Sequence, residues 1–251
     1  MALVAASLLF LGIFFIAWLM LDIVERIGER HPIRSRSLIV GAALFLALFV
    51  GLSLLVSTSN ARLDHLDRET WEWTVSHRDP GAAPLFVALS SLISDGVTTA
   101  LVLGIAALLL LKRMFSLASW LVLTSLGALL HEPIKAIFGR SRPPETLALW
   151  SADSTAFPSA HAFSATIVFG AFAVVAWRTF ESPVVRTGLA SLAAATAAGV
   201  GISRIWLAVH WFSDVIAGWS LGLTWLLLMI AVGRCLSGRK AESAPPGRFS
   251  T

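Results

Sequence analysis

Seven apolar blocks decide what this chain can fold into. They lie at about 3–24, 37–57, 84–111, 115–137, 161–178, 187–207 and 210–233. Each is close to the roughly twenty residues that a helix needs to cross the hydrocarbon core of a bilayer. The blocks are continuous and lack the in–out alternation of barrel strands, so helices are expected. Composition agrees, with 57% hydrophobic and 14% charged residues, against about 25% charged in a soluble domain. The expected fold class is all-α, a polytopic transmembrane bundle of about seven spans. The first block has no basic residue before it and no clear small-residue cleavage site, so it reads as a retained helix rather than a signal peptide.

The cations divide unequally between the two ends of the blocks. Arg26, Arg30, Arg34, Arg36, Lys112, Arg113, Arg178, Arg186, Arg234, Arg239, Lys240 and Arg248 fall on one side. Arg62, Arg68, Arg78, Lys135, Arg140, Arg142 and Arg204 fall on the other. The richer side is expected to be cytoplasmic, with the N-terminus outside and the C-terminus inside. Cations that flank apolar spans suit anionic headgroups and form no stripe for nucleic acid, so no nucleic-acid partner is expected. A lone cysteine, Cys235, excludes an intrachain disulfide and a cysteine cluster for metal. The outer segment 58–83 is too polar to span. Leu63, Leu66, Trp71 and Val75 roughly share a face, which predicts a helix lying in the membrane interface. The small, polar, Pro-containing tail predicts disorder over residues 235–251. No internal repeat is visible.

Three polar groups interrupt this apolar chain. They read Lys135-AIFGRS-Arg142-Pro143, Pro158-Ser159-Ala160-His161 and Ser203-Arg204-IWLAV-His210-WFS-Asp214. The predicted topology puts all three on the outer side. Ionisable groups beside spans are costly and call for a function. Lys135, Arg142 and Arg204 can neutralise the oxygens of a phosphate, and an arginine fork can bond two at once. Ser159 adds a hydroxyl, and the helix start at Ser159–Ala160 adds free backbone amides. His210 and Asp214 are four residues apart, so on one helix they share a face. A carboxylate there can take one ring nitrogen and leave the other nucleophilic. His161 remains to protonate a leaving oxygen. The scheme requires no metal and no cofactor. Each group alone has a plainer reading: an interfacial anchor, a helix cap, or a structural hydrogen-bonded pair. Together, on one membrane face, they point to chemistry on a phosphate ester.

With these motifs the chain resembles the type 2 phosphatidic acid phosphatase (PAP2) superfamily. Both spaced motifs match in full, and the middle one matches at three of four positions, with Ala160 where the family usually has glycine. The resemblance covers about residues 60–233. It implies that His210 is the nucleophile that forms a phosphohistidine, Asp214 its orienter and His161 the general acid. It implies phosphate binding by Lys135, Arg142, Ser159, Arg204 and the backbone at Ala160, without a metal. It also implies a six-span core, so residues 1–36 read as an extra N-terminal span with a basic loop and 37–234 as the catalytic membrane domain. Glu132, three residues before Lys135, is placed to pair with it, and Asp95, near the start of the third span, is placed to face the same cavity. His131 is as readily a packed polar group.

The expected function is hydrolysis of a lipid phosphate or diphosphate at the outer face of a bacterial plasma membrane. Undecaprenyl diphosphate, phosphatidic acid and phosphatidylglycerophosphate are candidate substrates. A lipid phosphotransferase that uses the same phosphohistidine is the alternative, and a non-catalytic lipid-binding protein is another. Membrane lipids are the expected partners.

Overall fold

The structure, a computed structural model, describes residues 35–152 and 154–242. The first apolar block and residues 243–251 lie outside the described residues. The chain forms helices α1 (Ser35–Ser57), α2 (Ala61–His77), α3 (Ala83–Ser91), α4 (Asp95–Leu111), α5 (Phe115–Leu126), α6 (His131–Phe138), α7 (Ala160–Thr179), α8 (Pro183–Trp206) and α9 (Phe212–Glu242). Among the described residues there is no strand. Among the described residues, five helical segments are long and apolar enough to cross a membrane, and α3 with α4 makes a sixth, bent by 54°. This is the polytopic helical bundle that the apolar blocks predict. Helix α9 continues through Glu242, into the segment expected to be disordered.

Helix α7 is the centre of the bundle. Its sequence, AHAFSATIVFGAFAVVAWRT, is apolar all round, which suits a helix buried on every side. Its most apolar stretch is 83% buried, against 17% for that of α1. Three apolar clusters surround it. Val174 packs with Leu38 of α1 and with Leu223, Leu227 and Ile230 of α9. Phe169 and Ala173 meet Ala190, Ala193 and Ala197 of α8. Val168 and Val175 meet Val102 and Ala106 of α4 and Leu117 and Leu121 of α5. Helix α1 leaves Ile39, Val40, Leu44 and Leu54 exposed, as suits a helix whose outer solvent is lipid.

Two glycines one turn apart bring α9 onto the start of α7. A Cβ on Gly218 would stand 2.6 Å from the carbonyl oxygen of Ser159, and one on Gly222 would stand 2.7 Å from Cβ of Thr166. Small residues at this spacing let two backbones approach closely where there is no water to drive association. The contact lies one turn from Asp214, so it also positions the site.

Two blocks that read as continuous in the sequence are broken. In 84–111 the break falls between α3 and α4, where Ser94, in an extended conformation, precedes the new helix start at Asp95. In 115–137 a short 3₁₀ turn, Gly127–Leu130, separates α5 from α6. Pro133 has no N–H to continue the ladder and sits in the first turn of α6, where none is needed. The Trp225 indole donates to the carbonyl of Thr124 at 2.9 Å and packs where any side chain on Gly127 would stand. Helix α6 ends on Gly139, whose φ of 58° is the left-handed cap that favours glycine.

Candidate active site

The residues of all three motifs converge at one end of the bundle. Lys135 comes from the end of α6, and Arg142 from the loop after it. Ser159, Ala160 and His161 open α7, Arg204 closes α8, and Asp214 lies in the first turn of α9. The last helix begins at Phe212, so His210 sits in the short loop before it.

His210 and Asp214 form the expected pair. Nδ1 of His210 is 3.3 Å from Oδ2 of Asp214, and both side chains are almost wholly buried. Asp214 Oδ2 also accepts the Trp211 backbone N–H at 2.9 Å. With Nδ1–H directed at the carboxylate, the lone pair of the ring lies on Nε2. Burial, then the charges of Arg142, Arg204 and Lys135, push His210 well below its ordinary pKa. The imidazole is therefore held neutral, as a nucleophile must be.

The cations gather around that free nitrogen. Arg142 Nη1 stands 3.2 Å from Nε2 of His210 and donates to the carbonyl of Val209 at 2.6 Å. Its Nε donates to the carbonyl of Ser154 at 2.6 Å, which fixes the plane of the fork. Lys135 is buried and donates from Nζ to the Ser154 hydroxyl at 2.7 Å. Arg204 is buried, donates from Nη1 to the Ser90 hydroxyl, and lies over the Trp150 ring at 5.5 Å. Its Nε is buried with no hydrogen-bond partner among the described residues. A buried guanidinium N–H without an acceptor is costly and suits an anion that would supply one.

Ser159 is fully buried at the start of α7. Its backbone N–H donates to the Asp214 carbonyl at 3.0 Å, and its hydroxyl accepts from the Ala162 N–H at 3.5 Å. Ala160 is the first helical residue and has no positive φ, so the backbone here does not require glycine. His161 follows it, half-buried and with no hydrogen bond to its ring among the described residues. Lys135, Arg142, Arg204 and His210 all lie within electrostatic reach of it.

Two expected supporting residues are corrected. Glu132 does not pair with Lys135. Its carboxylate is 67% exposed and meets His131 Nε2 at 3.1 Å, while Lys135 turns inward to Ser154. His131 is held by the Ala128 carbonyl at 2.7 Å, so it is a packed polar group at the helix start. Asp95 is exposed in the first turn of α4, and no hydrogen bond or ion pair joins it to the site among the described residues. A carboxylate is favoured at that helix start whatever the function.

Sequence reasoning missed a second layer of charge. Arg140 Nη1 donates to Asp214 Oδ1 at 2.6 Å and to the Ser213 hydroxyl at 2.8 Å. Its Nη2 donates to Asp67 Oδ2 at 2.7 Å. Asp67 is buried on α2 and accepts the Ser213 backbone N–H at 2.9 Å and its hydroxyl at 2.5 Å. Burial pushes the Asp67 carboxyl above its ordinary pKa, although Ser213 and Arg140 oppose this. Burial works to lower Arg140, but the carboxylates of Asp214 and Asp67 outweigh it and hold its pKa above the ordinary value. The face of α2 that turns inward is Leu63, Asp67, Thr70 and Thr74, not the expected Leu63, Leu66, Trp71 and Val75. A charged residue such as Asp67 ordinarily faces solvent, so its burial is not legible locally. Ser90 and Ser154 carried no signal in the sequence at all.

Residues 116–234 match the family model described as the PAP2 superfamily. Among solved structures, the chain is similar to that described as the first transmembrane PAP2 type phosphatidylglycerolphosphate phosphatase from Bacillus subtilis. The two are 24% identical, the match covers 83% of this chain and 98% of that one, and the TM-score is 0.67. This likeness is one of fold. No curated protein matches the chain.

Proposed function

We propose, from the match of residues 116–234 to the PAP2 superfamily model, that this chain is a membrane lipid phosphatase working through a phosphohistidine on His210. One observation carries the reading. The nitrogen of His210 left free by Asp214 faces the Arg142 fork, with the buried cations Lys135 and Arg204 beside it. A phosphoryl group set there has its charge neutralised and its phosphorus within reach of Nε2.

The steps follow from the groups present. The Nε2 lone pair forms the N–P bond as the ester P–O bond breaks. The leaving oxygen takes a proton from His161. Water then attacks the phosphohistidine, His161 takes up the water proton, and the P–N bond returns its electrons to His210. Asp214 holds the ring tautomer throughout and stabilises the positive charge that develops on the imidazole. The three cations supply the neutralisation that a metal gives elsewhere, so the reaction is metal-independent. Ser159 and the amide of Ala160 add donors to the anion at the start of α7.

The site lies at the end of the bundle, where a lipid in the membrane presents its headgroup, so the substrate is a lipid phosphate or diphosphate. Phosphatidylglycerophosphate, undecaprenyl diphosphate and phosphatidic acid remain the candidates, and the name of the structural relative favours the first. The positive-inside rule places this end outside the cytoplasm, with the C-terminus inside.

Phosphate release by the purified protein in mixed micelles tests the reading, with these three lipids offered in parallel. Release from at least one, lost in His210→Ala, is expected. Phosphate delivered only to an added hydroxyl acceptor would replace hydrolysis by transfer. Neither release nor transfer with any lipid would overturn the phosphatase.

A further inference from the structure

The proposed chemistry needs Asp214 ionised, correctly turned and fully buried. A carboxylate with no exposure is unstable unless a cation and hydrogen bonds hold it. Lys135, Arg142 and Arg204 face the phosphate side of His210. Arg140 faces the other side. Its fork spans Asp214 at 2.6 Å and Asp67 at 2.7 Å, and Asp64 lies further off at 3.8 Å. With both ends of the fork committed to carboxylates, Arg140 has no charge left for a phosphate.

Asp67 completes the arrangement without touching Asp214. It holds Ser213, the residue before Asp214, through both backbone N–H and hydroxyl, and it holds the second Nη of Arg140. The Asp214 carboxylate is thereby fixed on both oxygens. Oδ1 accepts from Arg140, and Oδ2 accepts from the Trp211 N–H and faces His210 Nδ1. Arg140 also lies over the Trp211 ring at 5.8 Å. The chain of contacts runs from α2 through Asp67, Arg140 and Asp214 to the ring of His210.

We propose that Arg140 and Asp67 are positioning residues for the phosphoryl-transfer step, keeping Asp214 ionised and turned so that His210 presents Nε2. The inference rests on the phosphatase reading above. It assigns α2 a part in the site: this helix carries the anchor that sets the catalytic aspartate.

The test compares wild type with Arg140→Gln, Arg140→Lys and Asp67→Asn, using whichever of the three lipids the wild type hydrolyses best. Arg140→Gln is expected to lower kcat by about 10–100-fold while KM stays within about twofold, because misplacement acts on the reacting geometry and not on binding. Arg140→Lys restores the charge without the fork and should recover part of the loss. Asp67→Asn should fall in kcat by a smaller factor. The ¹⁵N resonances of the His210 ring, identified by their loss in His210→Asn, provide a readout independent of turnover. They are expected to move in Arg140→Gln. An unchanged kcat per folded molecule with unchanged ring shifts, whatever the melting temperature, would overturn the proposal. Should wild type release no phosphate, the phosphatase reading fails, and unmoved ring shifts would sink the positioning role as well. Should Arg140→Gln not fold, Arg140→Lys and Asp67→Asn decide by the same two readouts.

Discussion

Arg142 Nη1 stands 3.2 Å from Nε2 of His210. The proposed nucleophile and the cation proposed to meet its target are therefore set edge to edge before any phosphate arrives. The guanidinium is tied to the carbonyls of Val209 and Ser154, so its place is fixed by backbone rather than by the ring. An anion entering between them finds donors already aimed, which is the preorganisation that makes electrostatic stabilisation effective.

Removing the nucleophile should abolish the reaction and spare the fold. His210→Ala is expected to cut phosphate release by at least about 1,000-fold, since no other group can form the covalent intermediate. Melting in detergent should shift by only a few degrees, because His210 sits in a loop. Activity within tenfold of wild type would refute the phosphohistidine.

Arg142→Lys keeps the charge and loses the fork. The two backbone carbonyls and the phosphate cannot all be met by one ammonium. A fall in kcat/KM of about 10–100-fold is expected, read from initial rates in micelles. An unchanged rate would show that Arg142 serves only as a point charge.

Chelation should leave the rate alone. Among the described residues no group of three or more His, Cys, Asp or Glu is placed to hold a metal ion. The charge neutralisation is assigned instead to Lys135, Arg142 and Arg204. Equal rates in EDTA and in added magnesium are expected, and a loss in EDTA that magnesium restores would refute this.

Gly222→Val tests the approach of α9 to α7. The new side chain meets Thr166 and the Phe163 carbonyl within 3.0 Å, and overpacking of this kind costs about 1–3 kcal/mol. Lower melting and lower activity together are expected, because the same contact sets Asp214 against Ser159. Gly104→Val, at a site open around its Cβ position, is the control and should change neither.

Ala208→Gly tests local strain in the loop that carries His210. Ala208 has a φ of 59°, a conformation that costs a residue with a Cβ about 1 kcal/mol. The glycine variant should melt at or above the wild-type temperature with activity kept. A clear drop in melting would mean that the methyl group's packing outweighs the strain, since Ala208 is fully buried.

The apolar blocks specify the helical bundle, and the motif spacings single out the groups proposed to react. Continuous apolar blocks leave the backbone no partner in lipid except itself, so helices follow without knowledge of packing. The four-residue spacing of His210 and Asp214 suggests the pair, although His210 stands in the loop before α9 and not on its face, and the cations are conspicuous because charge is scarce in such a chain. What lies behind them depends on packing between distant segments. Asp67 and Arg140 are 73 residues apart and meet because α2 turns a polar face inward. Hydropathy gives no sign of this, since a charged residue is buried only when a distant partner neutralises it. The breaks at Ser94 and Gly127 were hidden for a related reason. An apolar run shows how much chain can lie in lipid, but a bend depends on what packs beside it, as Trp225 does at Gly127. Glu132 was misassigned because helical spacing gives neighbours on a surface, and it does not say that Lys135 will leave the surface for Ser154.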